Sequence, residues 1–188
     1  MSDDDQPFLP DYDFTAALAL SPAARIERAA KALRRRDSHV SSGASSAEVA
    51  ELERRVGRPL PKEYALLLRT HRCLVVDENV YIGGLDTSGK HAPDAGWISD
   101  EHRDGRTHLV IGRYDLYADG DQILIDLDDS KQPVVVYLHE EGPRFEPFAP
   151  TVSLAVWRLV FEDDEEEDDE AEDEEGDGEE NDEAADDE

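Results

Sequence analysis

Six histidines stand at positions 39, 71, 91, 102, 108 and 139, and the chain has a single cysteine, Cys73. A bound metal needs several such ligands to converge, usually announced by short spacings on one element. No His-Glu-x-x-His run is present, and one thiol cannot build a thiolate site. No metal and no cofactor are therefore expected. Asp115–Asp121 has the outline of a calcium loop, but Tyr117 occupies its third position and no glutamate stands at the twelfth, which excludes an EF-hand. Pro93-Asp94 followed by Asp129-Ser130-Lys131 imitates the carboxylate–carboxylate–lysine set of metal-dependent nucleases. Those residues read more simply as a polar loop and a turn. There is no Gly-x-Ser-x-Gly elbow, and Gly83-Gly84 is not a phosphate-cradling loop. With no acid, base, nucleophile or ligand set gathered anywhere, the chain reads as a binding protein and not as an enzyme.

Charge narrows the range of partners. Of 188 residues, 48 are Asp or Glu and 19 are Lys or Arg, a formal net charge of -29. Residues Glu162–Glu188 hold 21 of the acids and no base, so Met1–Phe161 carries only -8. Affinity for nucleic acid comes largely from Lys and Arg neutralising phosphates, and this balance argues against it. A basic protein is the natural partner. The acidic run cannot bury apolar surface, so it reads as a disordered tail, which serves solubility, capture of a basic partner, or both. No apolar run approaches the roughly 20 residues that span a bilayer. The lone cysteine fits a reducing compartment, and the acidic opening, MSDDDQPFLP, lacks the basic start of a secretory segment, so a cytoplasmic location is expected.

The elements follow from capping signals and periodicity. Ser21-Pro22 opens a helix over Pro22–Arg36 with Ala23, Ile26, Ala30 and Leu33 on one face. Arg25, Arg28, Lys31, Arg34, Arg35 and Arg36 are expected on its other face. The serine-rich stretch Ser38–Ser46 looks like a linker, which makes that helix an appendage. Ser45-Ser46-Ala47-Glu48 fits a capping box opening a second helix that Gly57 ends. A third follows Pro61, with Tyr64, Leu67 and Leu68 buried. Strands are expected at Cys73–Val76 and Asn79–Ile82, with a tight turn at Asp77-Glu78, then at Thr107–Ile111, Gln122–Leu127 and Val134–Leu138. The unbroken apolar run of the last predicts burial of both its faces. A long polar loop should separate Gly84 from Arg106. The closing helix, Thr151–Phe161, has Val152, Ala155, Val156, Leu159 and Val160 on one face, and the acidic run should end it because carboxylates oppose the negative end of a helix dipole. The class is α+β: a central, mostly antiparallel sheet flanked by helices. Residues 1–44 form an N-terminal extension, 45–161 the main domain and 162–188 the tail.

The order of these signals resembles the SUKH superfamily, which groups bacterial immunity proteins with fungal cell-wall-synthesis regulators of the Knr type. The likeness rests on Val49-Ala50-Glu51-Leu52-Glu53, on Gly57-Arg58-Pro59-Leu60-Pro61-Lys62-Glu63-Tyr64 with Leu67-Leu68, and on the glycine pair Gly83-Gly84. It continues through Ile111-Gly112, Asp119-Gly120-Asp121 leading into Ile123–Leu127, Val134–Glu140, and Val152-Ser153-Leu154, where Leu replaces the usual Phe. The resemblance implies binding without catalysis, most often neutralisation of a cognate toxin such as a nuclease or deaminase.

Recognition commonly sits on loops carried by a rigid sheet. The expected contact residues therefore lie in the Gly84–Arg106 loop and the Tyr114–Asp121 connection: Gly83, Gly84, Trp97, Tyr114, Tyr117, Asp119 and Asp121, whose aromatic members are of the types found at hot spots. Each aromatic serves equally well as a lid on the core edge. Two other readings stay open: a regulatory scaffold for an endogenous protein, and the metal-dependent nuclease outlined above.

Overall fold

The computed structural model describes residues 11–77, 80–85, 98–99, 106–114, 120–139 and 144–170. Helix α1 is a single turn, Thr15–Leu18. Helix α2 (Pro22–Arg35) starts where Ser21 Oγ accepts the Ala24 N–H at 3.3 Å. Helix α3 (Ser46–Val56) opens with a complete capping box between Ser45 and Glu48 and stops at Gly57, whose φ of 74° gives the left-handed cap. Helix α4 is Lys62–Thr70 and α5 is Val152–Glu170.

The strands are β1 (Leu74–Asp77), β2 (Val80–Ile82), β3 (Ile98–Ser99), β4 (His108–Tyr114), β5 (Gln122–Asp126), β6 (Val134–Leu138) and β7 (Arg144–Ala149). They form one antiparallel sheet in the order β1-β2-β4-β5-β6-β7, with β3 pairing β4 beside β2's end of the path. Of the turn expected at Asp77-Glu78, Asp77 lies in β1 and pairs with Val80, while Glu78 and most of the loop expected before Arg106 fall outside the described residues. Strand β6 corrects one expectation. Val134, Val136 and Leu138 are buried, but Val135 and Tyr137 on the opposite face are only half-buried. An apolar run does not report burial of both faces when the second face is only partly covered. Strand β7 was not foreseen because Pro147 interrupts it; as the last strand of the sheet it tolerates a proline, which lacks the N–H a central strand would need.

The helices and the sheet share one core. Every residue of α5 from Val152 to Val160 is buried, so this part of the helix is enclosed on all sides and not merely along the expected stripe. Part of its cover is α2, whose Ile26, Ala29, Ala30 and Leu33 are fully buried in the same cluster. The helix read as an appendage therefore supplies core. Arg25 is likewise not on the solvent face: it is buried, donating from Nε to Ala17 O at 2.8 Å and from Nη1 to Ser153 Oγ at 3.0 Å. Helix α5 also continues past Phe161 to Glu170. Glutamate is a good helix former, and Glu162 pairs one turn back with the buried Arg158 at 2.6 Å, which offsets the unfavourable dipole. The remaining acidic residues, 171–188, lie outside the described set.

The Ser38–Ser46 segment is bound to the domain along its length. Val40 bridges Leu74, Ser41 exchanges hydrogen bonds with Cys73, and Ala44 N–H donates to Leu68 O at 2.7 Å. Arg72 fastens the segment to α3, reaching both Glu48 oxygens at 3.0 and 2.9 Å and Ser42 Oγ at 3.0 Å. Arg72 and Ser45 hold the Glu48 carboxyl down from its ordinary 4.5 to about 2. A depressed carboxyl pKa adds stability that is fully present above the unfolded value and lost as pH falls through the folded one. The margin in melting temperature of the wild type over Glu48→Gln should accordingly hold near neutrality and shrink between pH 4.5 and about 2. Membership of α2 in the core gives a second expectation. Leu33→Ala should destabilise the chain by about 2–5 kcal/mol in urea unfolding, whereas Leu18→Ala, at a side chain 63% exposed, should stay within about 0.5 kcal/mol.

Candidate partner-binding site

Two sequence motifs meet at the exit of β2. The Tyr64 hydroxyl, at the end of Leu60-Pro61-Lys62-Glu63-Tyr64, donates to Gly83 O at 2.8 Å. Tyr64 is fully buried, and that burial pushes its hydroxyl pKa upward, keeping it a neutral donor. Gly83 N–H donates to Ile111 O, and Leu85 N–H to Arg72 O. At Gly83, φ is 119° and a Cβ would stand 2.5 Å from Arg72 O. The glycine pair is thus a close crossing of two backbones.

A second cluster lies at the far end of β4. Tyr114 N–H donates to Asp121 O at 3.1 Å, and the Tyr114 ring is buried edge-on against Phe148 at 5.5 Å. Asp121 is 1% exposed; its Oδ1 accepts the His139 N–H at 3.0 Å and stands 3.1 Å from His139 Nδ1. Gly120, with φ of 110°, passes so close that a Cβ would meet the His139 ring at 3.3 Å. Asp121 therefore ties the start of β5 to the end of β6. Of the expected contact residues, Tyr114 and Asp121 are brought together. Gly83 and Gly84 are not, because they follow Ile82, which pairs with Gly112, while Tyr114 pairs with Val80 at the opposite end of β2. Trp97, Tyr117 and Asp119 lie outside the described residues.

Sequence reasoning missed a cleft of about 560 Å³ between the N-terminal Tyr12 and Phe14, the β6–β7 pair and the turn after β5. Its walls are largely apolar. Both of its arginines are already engaged: Arg158 by Glu162 and Phe148 O, and Arg106 by the buried Asp126, which also accepts the N–H groups of Asp128 and Asp129. The Thr107 N–H, 2.7 Å from Asp128, lowers that carboxyl's pKa. Tyr12 and Phe14 within a polar opening, together with Pro147, were the available signals. Asp129 lines this cleft and braces its own turn by accepting the Lys131 N–H at 2.8 Å, while Asp94 lies outside the described residues. Among the described residues no group of three or more His, Cys, Asp or Glu is placed to hold a metal ion.

Comparison with protein families matches residues 43–167 to the SMI1 / KNR4 family (SUKH-1). The chain belongs to this family. The SUKH family is associated with toxin immunity and toxin binding. A search of the curated proteins and a search of the solved structures each found no match. The SUKH match begins just before α3, so α1 and α2 stand outside it in sequence while α2 stands inside the core. Within the match, the Tyr64–Gly83 bond and the Asp121–His139 clasp give the recognised motifs structural duties. No described helix is long and apolar enough to cross a membrane.

The geometry separates two glycines. Gly83→Ala should lower stability by about 1–3 kcal/mol or more, since strain at φ adds to a backbone clash. Gly57→Ala, with open space around it, should cost only about 1–2 kcal/mol from its left-handed φ. Urea unfolding of both variants checks the order.

Proposed function

We propose that this SUKH-family protein is an immunity protein that binds and blocks a cognate, basic, nucleic-acid-targeting toxin without catalysis, in the cytoplasm. Family membership carries the reading: residues 43–167 match a family associated with toxin immunity. The charge supports it. A toxin that grips nucleic acid needs a cationic groove, and a chain of net charge -29 can fill such a groove and speed its own encounter with it. Contact is assigned to the Gly84–Arg106 and Tyr114–Asp121 segments. Because Tyr114 and Asp121 are buried, they position the connection, and Trp97, Tyr117 and Asp119 are the side chains assigned to touch the toxin.

Co-expression with the cognate toxin should restore growth of a sensitive host. Association with the purified toxin should slow by about tenfold or more as salt is raised, as for steered encounters. Trp97→Ala or Tyr117→Ala should weaken binding by about 2 kcal/mol, while substitutions on the Tyr12–Phe14 cleft should not. The chain alone should cleave neither DNA nor RNA with Mg²⁺ or Mn²⁺. Cleavage abolished by both Asp129→Ala and Lys131→Ala would replace this reading with the nuclease one.

A further inference from the structure

Helices α2 and α5 run in the same direction: Arg25 meets Ser153, Arg28 lies 5.2 Å over the Trp157 ring, and Arg36 Nη1 donates to Val160 O at 2.9 Å. The acidic run consequently leaves the domain beside the C-terminal end of α2. That end is basic. Arg28, Lys31, Arg34 and Arg35 are exposed, and Lys31, Arg34 and Arg35 take part in no ion pair among the described residues. Arg28, Lys31 and Arg35 line a hollow of about 290 Å³ with Ala32 and Phe161. On the exposed side of α2 itself the nearest acid is Glu27, whose Oε1 is 3.9 Å from His71 Nε2, and Glu162 on α5 is already taken by Arg158.

We infer that the basic face of α2 is the docking surface for this chain's own residues 171–188. That segment holds 12 carboxylates and no cation, the complement of the face. It also reaches. Helix α5 carries the chain from Phe161 to Glu170, about 13 Å further along the axis at 1.5 Å per residue. A coil of eighteen residues has a root-mean-square span of about 21–25 Å, enough for a segment of this length to reach back to the level of Arg35 and on to Arg28. The contact is multivalent and geometrically loose, since each exposed pair adds little by itself. Its consequence is occupancy: the cations of α2 are covered in the free protein and uncovered when the segment is drawn away by a basic surface. The inference stands on this chain's charges and geometry and does not require the toxin.

The test uses the full chain with a nitroxide attached through Ala184→Cys, Cys73 being buried and protected from labelling. Amide signals of Arg28–Arg35 should lose intensity in about 0.1 M salt, where screening extends about 10 Å, and regain it in about 1 M, where it extends about 3 Å. The loss should also disappear in the triple variant Arg28→Gln, Lys31→Gln, Arg35→Gln, with the spectrum of the sheet unchanged. No loss on α2 at the lower salt, or an equal loss in the triple variant, overturns the inference. So does a loss that appears only when spin-labelled chains are mixed with separate isotope-labelled ones, which would make the occupant a second copy.

Discussion

A stretch of helix buried on every side can satisfy a polar side chain only against another part of the protein. Over Val152–Val160, Ser153 and Arg158 are satisfied in this way, while the buried Trp157 Nε1 finds no hydrogen-bond partner among the described residues. Ser153 N–H donates to Glu63 Oε2 at 2.9 Å, placing a carboxylate from α4 at the positive end of the α5 dipole, and Ser153 Oγ accepts from Arg25 of α2. Arg158 is 2% exposed and is satisfied by Phe148 O and Glu162, with the Phe148 ring 4.7 Å from its guanidinium. Truncating one partner of a buried charge leaves the other uncompensated, which is far more damaging than losing a surface pair. These bonds fix α2, α4 and β7 relative to α5. The rest of the fold is arranged around that axis.

The same economy explains the family motifs. Tyr64 and Gly83, 19 residues apart, are joined by one buried hydrogen bond, and Asp121 with His139, 18 residues apart, by two contacts at one carboxylate oxygen. Each motif secures the base of a connection: the first where the chain leaves β2, the second where it enters β5. Loops anchored in this way on a rigid sheet are common carriers of recognition.

Much of this was legible in the sequence because capping and periodicity are local. Ser21, Ser45, Glu48 and Gly57 act where their types and spacing said they would, and the apolar residues expected inside on α4 and α5 are buried. What stayed hidden depends on distant partners. Arg25 looks like any exposed helical cation until Ala17 O and Ser153 are brought to it, and a serine-rich stretch looks like a linker until Cys73 and Leu68 supply its hydrogen bonds. Strand β7 was concealed by a proline that only its edge position permits. Of the residues expected at the contact, Tyr114 and Asp121 turn inward, an orientation that residue type alone does not reveal.

Contact of a basic partner with the connections at Gly84–Arg106 and Tyr114–Asp121 is the proposal on which the function rests. Amide hydrogen exchange of the full chain, free and saturated with its cognate toxin, tests it most directly. New protection should concentrate in residues 84–106 and 114–121, with Val152–Val160 of α5 unchanged because they are already buried. Protection confined instead to Tyr12, Phe14 and the β6–β7 pair would place the partner in the apolar cleft and rule out contact through these connections.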